Sequence, residues 1–215
     1  MSAVLDALRR KLFGRNRGEP IVLVSGLPRS GTSMMMRMLE AGGVAILSDA
    51  ERTADVDNPK GYFELERIKN LEKEQDKSYL REGRGKAVKA ISFLIKDLPD
   101  DNDYRVIFMR RDLDEVLVSQ EKMIARLDEG DTSAEKEAMR EAYRNDIVRT
   151  RLHCRKRANF ELIEIHYRQA IEDPSGACRS INEFLGGGLD EAAMRAAIDA
   201  SLYRNRSAGT TEIPS

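Results

Sequence analysis

The chain has 215 residues, 41% hydrophobic and 34% charged, with a formal net charge of −1, so it can bury a good core but presents no overall basic field to nucleic acid. Its two cysteines (Cys154, Cys178) and two histidines (His153, His166) lack the spacing of a disulfide framework or a zinc site, which fits a reducing, cytoplasmic setting. No run approaches the roughly 18 apolar residues of a membrane span, and the N-terminal stretch has no signal-peptide core.

Residues 3–13 predict an amphipathic helix, with Val4, Leu5, Leu8, Leu12 and Phe13 on one face and Arg9, Arg10 and Lys11 around it. Such a helix packs against a domain edge; contact with a membrane surface is the alternative. Arg15 to Pro20 is a linker into Ile21-Val22-Leu23-Val24, an apolar, mostly β-branched run suited to a parallel strand covered on both faces. The loop Ser25-Gly26-Leu27-Pro28-Arg29-Ser30-Gly31 follows, then a helix from Thr32 to Glu40 closed by Gly42-Gly43. Ser30, Thr32 and Ser33 bring hydroxyls to the helix start, where backbone N–H groups lack intrahelical partners and the dipole is positive. Hydroxyls, glycines and the Arg29 cation on one helix N-terminus make a phosphate cradle. The spacing matches G-x-x-x-x-G-K-[ST] at Gly26, Gly31 and Ser33, but Thr32 stands in the lysine position and the cation is Arg29. The cradle is therefore not equipped for ordinary ATP chemistry. Met34, Met35, Met36 and Met38 wrap the helix, which reads as core packing.

A short strand is expected at Val44–Leu47, a long polar loop at 48–61, and a charged helix from Glu64 to about Arg81. Ala87 to Ile91 and Tyr104 to Met109 read as strands, the latter ending in Arg110-Arg111. Asp112 is placed to cap a helix from Leu113 to about Leu127, with Glu115 completing a capping box. A long charged helix is expected over 133–158, a strand at Phe160–Tyr167, and helices at Pro174–Leu185 and Asp190–Ala200 before a tail at 201–215. His166 falls within that strand and His153 on the long helix, so both read as structural. The alternation predicts an α/β fold: a three-layer, doubly wound parallel sheet of about five strands, P-loop NTPase-like, with additional helices. It fits a single domain over 1–215, with a helix and linker at 1–19, the core at 20–200 and the tail beyond. Ligands of such sheets bind beyond the carboxyl ends of the strands, where Arg29 and Arg111 both fall.

Three segments carry a family resemblance. Pro28-Arg29-Ser30-Gly31-Thr32-Ser33, after a buried strand, resembles the 5′-phosphosulfate loop of sulfotransferases that use 3′-phosphoadenosine 5′-phosphosulfate (PAPS). Asn58-Pro59-Lys60-Gly61-Tyr62-Phe63-Glu64 resembles the N-P-(R/K)-G-(F/Y)-x-E segment of bacterial members. Arg111 ending a strand, with Ser119 eight residues on, resembles their 3′-phosphate signature. The resemblance spans roughly residues 20–185. It implies that Arg29, Ser30, Gly31, Thr32 and Ser33 hold the 5′ side of the cofactor and that Arg111 and Ser119 hold its 3′-phosphate. PAPS would be the sulfuryl donor and 3′-phosphoadenosine 5′-phosphate (PAP) the product, without a metal. Arg29 would stabilise charge on the leaving oxygen, and Glu64 is the candidate base, against the reading that it only favours its helix N-terminus.

The chain departs from the family in places. Ile91, Ser92 and Phe93 stand where cytosolic members carry a catalytic histidine, and Tyr167-Arg168 replaces their Tyr-Glu, with Asp173-Pro174 retained. Arg29 replaces their loop lysine, as in tyrosylprotein and many bacterial members. Their glycine-rich C-terminal clamp is not obvious; Arg204 and Arg206 are the substitutes at hand, against a frayed basic tail. The acceptor, a hydroxyl or amine on a small molecule, glycan or peptide, is not spelled out, nor is the oligomeric state. A divergent kinase and a non-catalytic binding protein of the same fold are the alternatives.

Overall fold

The computed structural model describes residues 17–49, 63–124 and 133–199. The expected helix at 3–13, most of the 48–61 loop, residues 58–62 of the Asn-Pro segment, and Arg204 and Arg206 lie outside them.

Strand β1 (Ile21–Gly26) is buried at every position, because Ile21 and Leu23 face one layer while Val22 and Val24 face the other. It pairs in parallel with β2 (Ala87–Lys89) on one side and β3 (Tyr104–Arg110) on the other. β4 (Phe160–His166) continues the sheet beyond β3, in register from Tyr104 opposite Phe160 to Arg110 opposite His166. The order is β2-β1-β3-β4, all parallel. The chain thus leaves β1 toward one edge and then crosses back to build β3 and β4 on the other. The turning point lies at the carboxyl ends of β1 and β3, which is where open α/β sheets bind ligands.

Both faces are covered, as a doubly wound sheet requires. Helix α1 (Thr32–Ala41) lies on one face with its Met34, Met35, Met36 and Met38 all buried, so these methionines are core, as their spacing predicts. Each such side chain contributes about 1.5–3 kcal/mol of burial. The same layer holds α5 (Tyr167–Glu172), α6 (Pro174–Leu185) and α7 (Glu191–Ala196), through Ala170, Cys178, Ile181 and Met194. On the opposite face sit α3 (Leu113–Ile124) and α4 (Ser133–Lys156), with Val116, Leu117 and Ile147 against Val106 and Phe108.

The element boundaries depart from expectation chiefly in four places. Val44–Leu47 is not a strand but a bridge at Ile46, since Ala87 alone exchanges its two backbone bonds with Ala45 and Leu47. The charged helix expected from Glu64 shrinks to a single turn, α2 (Glu66–Lys69), followed by turns and a 3-10 segment at Ser78–Gly83. Over residues 64–81 only Leu65, Ile68, Leu71 and Leu80 are buried, too few to hold a long helix against the core. β2 stops at Lys89, two residues earlier than read. β4 ends on His166, so this histidine is an exposed residue at the carboxyl edge rather than a mid-strand one, and α5 begins at once. No helix among the described residues is long and apolar enough to cross a membrane.

Candidate active site

The loop after β1 departs from ordinary backbone geometry at three residues. Gly26 and Gly31 have φ of 151° and 102°, and Arg29 has φ of 67°, a left-handed conformation uncommon for a residue with a Cβ. Neighbours hold each of them. A Cβ at Gly26 would come within 2.7 Å of the Met109 carbonyl oxygen, so β3 presses directly on the loop. A Cβ at Gly31 would overlap the ring of Tyr167, so the start of α5 presses on its other end. Gly31 is the N-cap of α1 and offers no side chain, which leaves that helix start to an outside acceptor.

Arg29 and Arg111 come from motifs 82 residues apart and are in direct contact. Arg111 Nη1 donates to the Arg29 carbonyl oxygen at 3.2 Å, which anchors the left-handed residue. Arg29 Nε donates to Ser119 Oγ at 3.0 Å, tying the loop to α3. Ser119 is buried and reaches the loop from the second turn of α3, a helix started by Asp112, whose Oδ1 accepts from the N–H groups of Asp114 and Glu115. Glu115, read as a capping-box residue, turns its carboxylate to Arg111 Nε at 2.9 Å and to Arg168 Nη2 at 3.3 Å. The Arg111 guanidinium carbon also sits 4.7 Å from the centre of the Tyr167 ring.

Ser30 gives the clearest sign of what this cradle is shaped for. It is 1% exposed, and its Oγ has no hydrogen-bond partner among the described residues. Ser25 Oγ, at the end of β1, is in the same condition. A buried hydroxyl without a partner is costly, and an anion seated in the loop would supply the missing acceptor. Hydroxyl donors, a helix N-terminus and guanidinium groups within contact of one another fit phosphate and sulfonate oxygens.

On the far side of β1 the carboxyl edge carries Lys89 and Glu64. Lys89 ends β2 in register with Val24, and the next residue, Ala90, donates its N–H to the Val24 carbonyl. Its ammonium, 9% exposed for the whole residue, pairs with Glu64 Oε1 at 3.4 Å, while Lys69 pairs with Glu64 Oε2 at 2.9 Å. Glu64 therefore stands at the sheet edge with a buried cation, besides favouring the start of α2. Lys89 is not singled out by the sequence, which places it inside a strand running to Ile91; that it ends the strand and pairs with Glu64 is visible only in the fold. Tyr167 reads in the sequence only as a strand end and the retained half of the family's Tyr-Glu pair, and its position against both Gly31 and Arg111 needs the fold.

Beside the site, Arg110 points into the protein and pairs with Glu164 Oε2 at 2.7 Å, and Glu164 also binds Arg151. Burial lowers the Arg110 pKa against the pull of Glu164. Burial alone would raise Glu164, but the Arg151 hydrogen bond and the two guanidinium charges outweigh it and hold the carboxyl below its usual range. Burial lowers the pKa of His153, whose ring nitrogen lies 3.1 Å from Arg157 and whose ring packs against Phe160 at the amino end of β4, away from the carboxyl edge. Among the described residues no cluster of three His, Cys, Asp or Glu could hold a metal ion.

A family model described as "Sulfotransferase domain" matches residues 19–212. The sulfotransferase domain of the Synechococcus PCC 7002 olefin synthase is similar in structure, with a TM-score of 0.53 and 18% identity over 90% of this chain and 82% of that one. Mouse sulfotransferase SULT7A1, solved with PAP, gives a TM-score of 0.50 at 15% identity, covering 92% of this chain and 68% of that one. The sulfotransferase domain of the curacin biosynthetic pathway gives 0.50 at 11% identity, over 91% and 94% of the two chains. At these identities the likeness speaks to the fold. No curated protein matches the chain in sequence.

Proposed function

The chain belongs to the sulfotransferase domain family, whose chemistry is sulfuryl transfer, and from that premise we propose that it moves the group from PAPS to a hydroxyl or amine acceptor. The reading takes the chain as one domain working in the cytoplasm, where its two free cysteines stay reduced. The observation that carries it is the direct contact between the two motifs: the carbonyl of Arg29 accepts from Arg111 while its side chain donates to Ser119. One nucleotide with anionic groups at both its 3′ and 5′ positions is the ligand such a junction suits. The partnerless Ser30 hydroxyl favours an anion on the loop side. PAPS supplies the activated sulfuryl group, and PAP leaves.

The roles follow from position. Arg111 and Ser119 bind the 3′-phosphate, and the loop from Arg29 to Ser33 binds the 5′ side. Arg29 Nε is engaged with Ser119, so binding the donor exchanges that hydroxyl for a donor oxygen. An arginine stabilises developing charge on the leaving oxygen without acting as an acid. Glu64 takes the acceptor's proton, and Lys89 holds its carboxylate at the strand edge. Loose, in-line transfer draws most of its rate from such positioning and charge. The kinase and non-catalytic alternatives gain no support: Thr32 occupies the P-loop lysine position, and the family match runs through both motifs.

The test is transfer of radiolabelled sulfate from PAPS into a pool of phenol, sugar, lipid and peptide acceptors. Labelled product that disappears with Arg29→Ala and Arg111→Ala supports the reading. Labelled product that persists undiminished in both variants contradicts it.

A further inference from the structure

Glu115 is 3% exposed and has no role in the reading above, although it touches that reading's principal cation. A buried carboxylate next to an anion site repels the ligand, so its presence needs a compensating reason. The contacts supply one. Arg111 is held by Glu115 on Nε, by the Arg29 carbonyl on Nη1 and by Tyr167 across its face. Those three restraints leave the guanidinium plane one orientation. Glu115 in turn is held on its second oxygen by Arg168, from the first turn of α5. Two guanidinium groups on one carboxylate keep the cluster net positive, so the geometry is fixed without cancelling the charge. Arg168 also stands where the family resemblance leads one to expect a glutamate, which would leave Glu115 without this second cation.

We propose that Glu115, bracketed by Arg111 and Arg168, is the positioning residue that aims Arg111, and that this bracket sets the site's preference for a nucleotide bearing a 3′-phosphate. The proposal rests on the reading that Arg111 meets that phosphate. It makes a prediction opposite in sign to simple electrostatics. A bystander carboxylate, once neutralised, would let anions bind more tightly. A positioning carboxylate, once neutralised, loosens Arg111 and weakens them.

The experiment is calorimetry on the full chain with PAP and with AMP, which is PAP without its 3′-phosphate. Glu115→Gln should weaken PAP roughly tenfold and change AMP by less than about twofold, within the range of couplings between contacting residues. In an Arg111→Ala background the same substitution should change PAP by less than about twofold, because Glu115 acts only through Arg111. Unchanged or tighter PAP binding in Glu115→Gln overturns the proposal, and so does a parallel loss of PAP and AMP. A wild type that does not distinguish PAP from AMP overturns the 3′-phosphate reading itself, and the proposal with it. Arg168 is more exposed, and Arg168→Gln provides a variant that keeps Glu115 paired with Arg111 should Glu115→Gln not fold. It should lower the PAP-to-AMP affinity ratio by about threefold or more, and lessen the salt dependence of PAP binding. An unchanged ratio in Arg168→Gln overturns the proposal.

Discussion

Replacing Gly31 by alanine tests how the loop is built, and Gly43 provides an internal control. Both glycines have positive φ, 102° and 96°, so alanine at either position pays the backbone strain of about 1–2 kcal/mol. They differ in their surroundings. A Cβ at Gly43 meets nothing within 4 Å, whereas one at Gly31 overlaps the Tyr167 ring. Tyr167 is buried between the loop and the Arg111 guanidinium, so it cannot turn away without disturbing the site. Overpacking of this kind costs a further 1–3 kcal/mol or so. Gly43→Ala should therefore lower Tm by roughly 2–8 °C and Gly31→Ala by roughly 4–20 °C, at about 2–4 °C per kcal/mol for a chain of this size. Thermal melts read the difference, and calorimetry with PAP reads its consequence: Gly43→Ala binds PAP normally and Gly31→Ala binds it weakly. Equal melting temperatures for the two variants, with PAP affinity intact in both, would refute the packing of the loop against Tyr167.

Arg29→Ala should depress turnover at saturating donor more than it weakens PAP binding, because its charge matters most as the leaving oxygen gains charge; steady-state kinetics beside calorimetry separate the two. Glu64→Gln should cut turnover by about 10²- to 10⁴-fold while PAP affinity stays normal, and turnover near wild type would remove Glu64 from the role of base. Glu164→Gln should destabilise the fold by about 3–5 kcal/mol at neutral pH, since it leaves the Arg110 guanidinium buried without its charge partner. Glu164 is held below the usual carboxylate range in the folded state. Its contribution is thus fully present above the unfolded value of about 4.3 and is lost as pH falls through the folded one. Denaturant melts from pH 7 down to pH 3 should show a shallower acid limb in the variant; parallel limbs would assign the acid sensitivity elsewhere.

The strand, loop and helix start around Arg29 were legible because their parts are contiguous. A buried strand, two glycines, four hydroxyls and an arginine within Ile21–Ser33 encode strand, turn and helix start without help from the rest of the chain. Arg111 and Ser119 were legible for the same reason, one ending a strand and the other two turns into the next helix. What escaped depends on contacts made late in the fold. Lys89 becomes a candidate for the site only through its contact with Glu64, 25 residues away. Glu115 looks like a helix cap until Arg168, 53 residues on, reaches its second oxygen. The charged helix expected over 64–81 failed on a different ground. Charge spacing alone suggests a solvated helix, but with so few buried side chains nothing pays for ordering one.

Calorimetry of the wild-type chain with PAP and with AMP tests the central claim most directly, because it needs no acceptor. A charge-assisted bond from Arg111 to the 3′-phosphate contributes about 1.5–3 kcal/mol, so PAP should bind roughly 10- to 150-fold more tightly than AMP. Arg111→Ala should erase most of that preference and leave AMP nearly unchanged, and Ser119→Ala should act in the same direction by less. Equal affinity of the wild type for the two nucleotides would contradict the assignment of this site to PAPS.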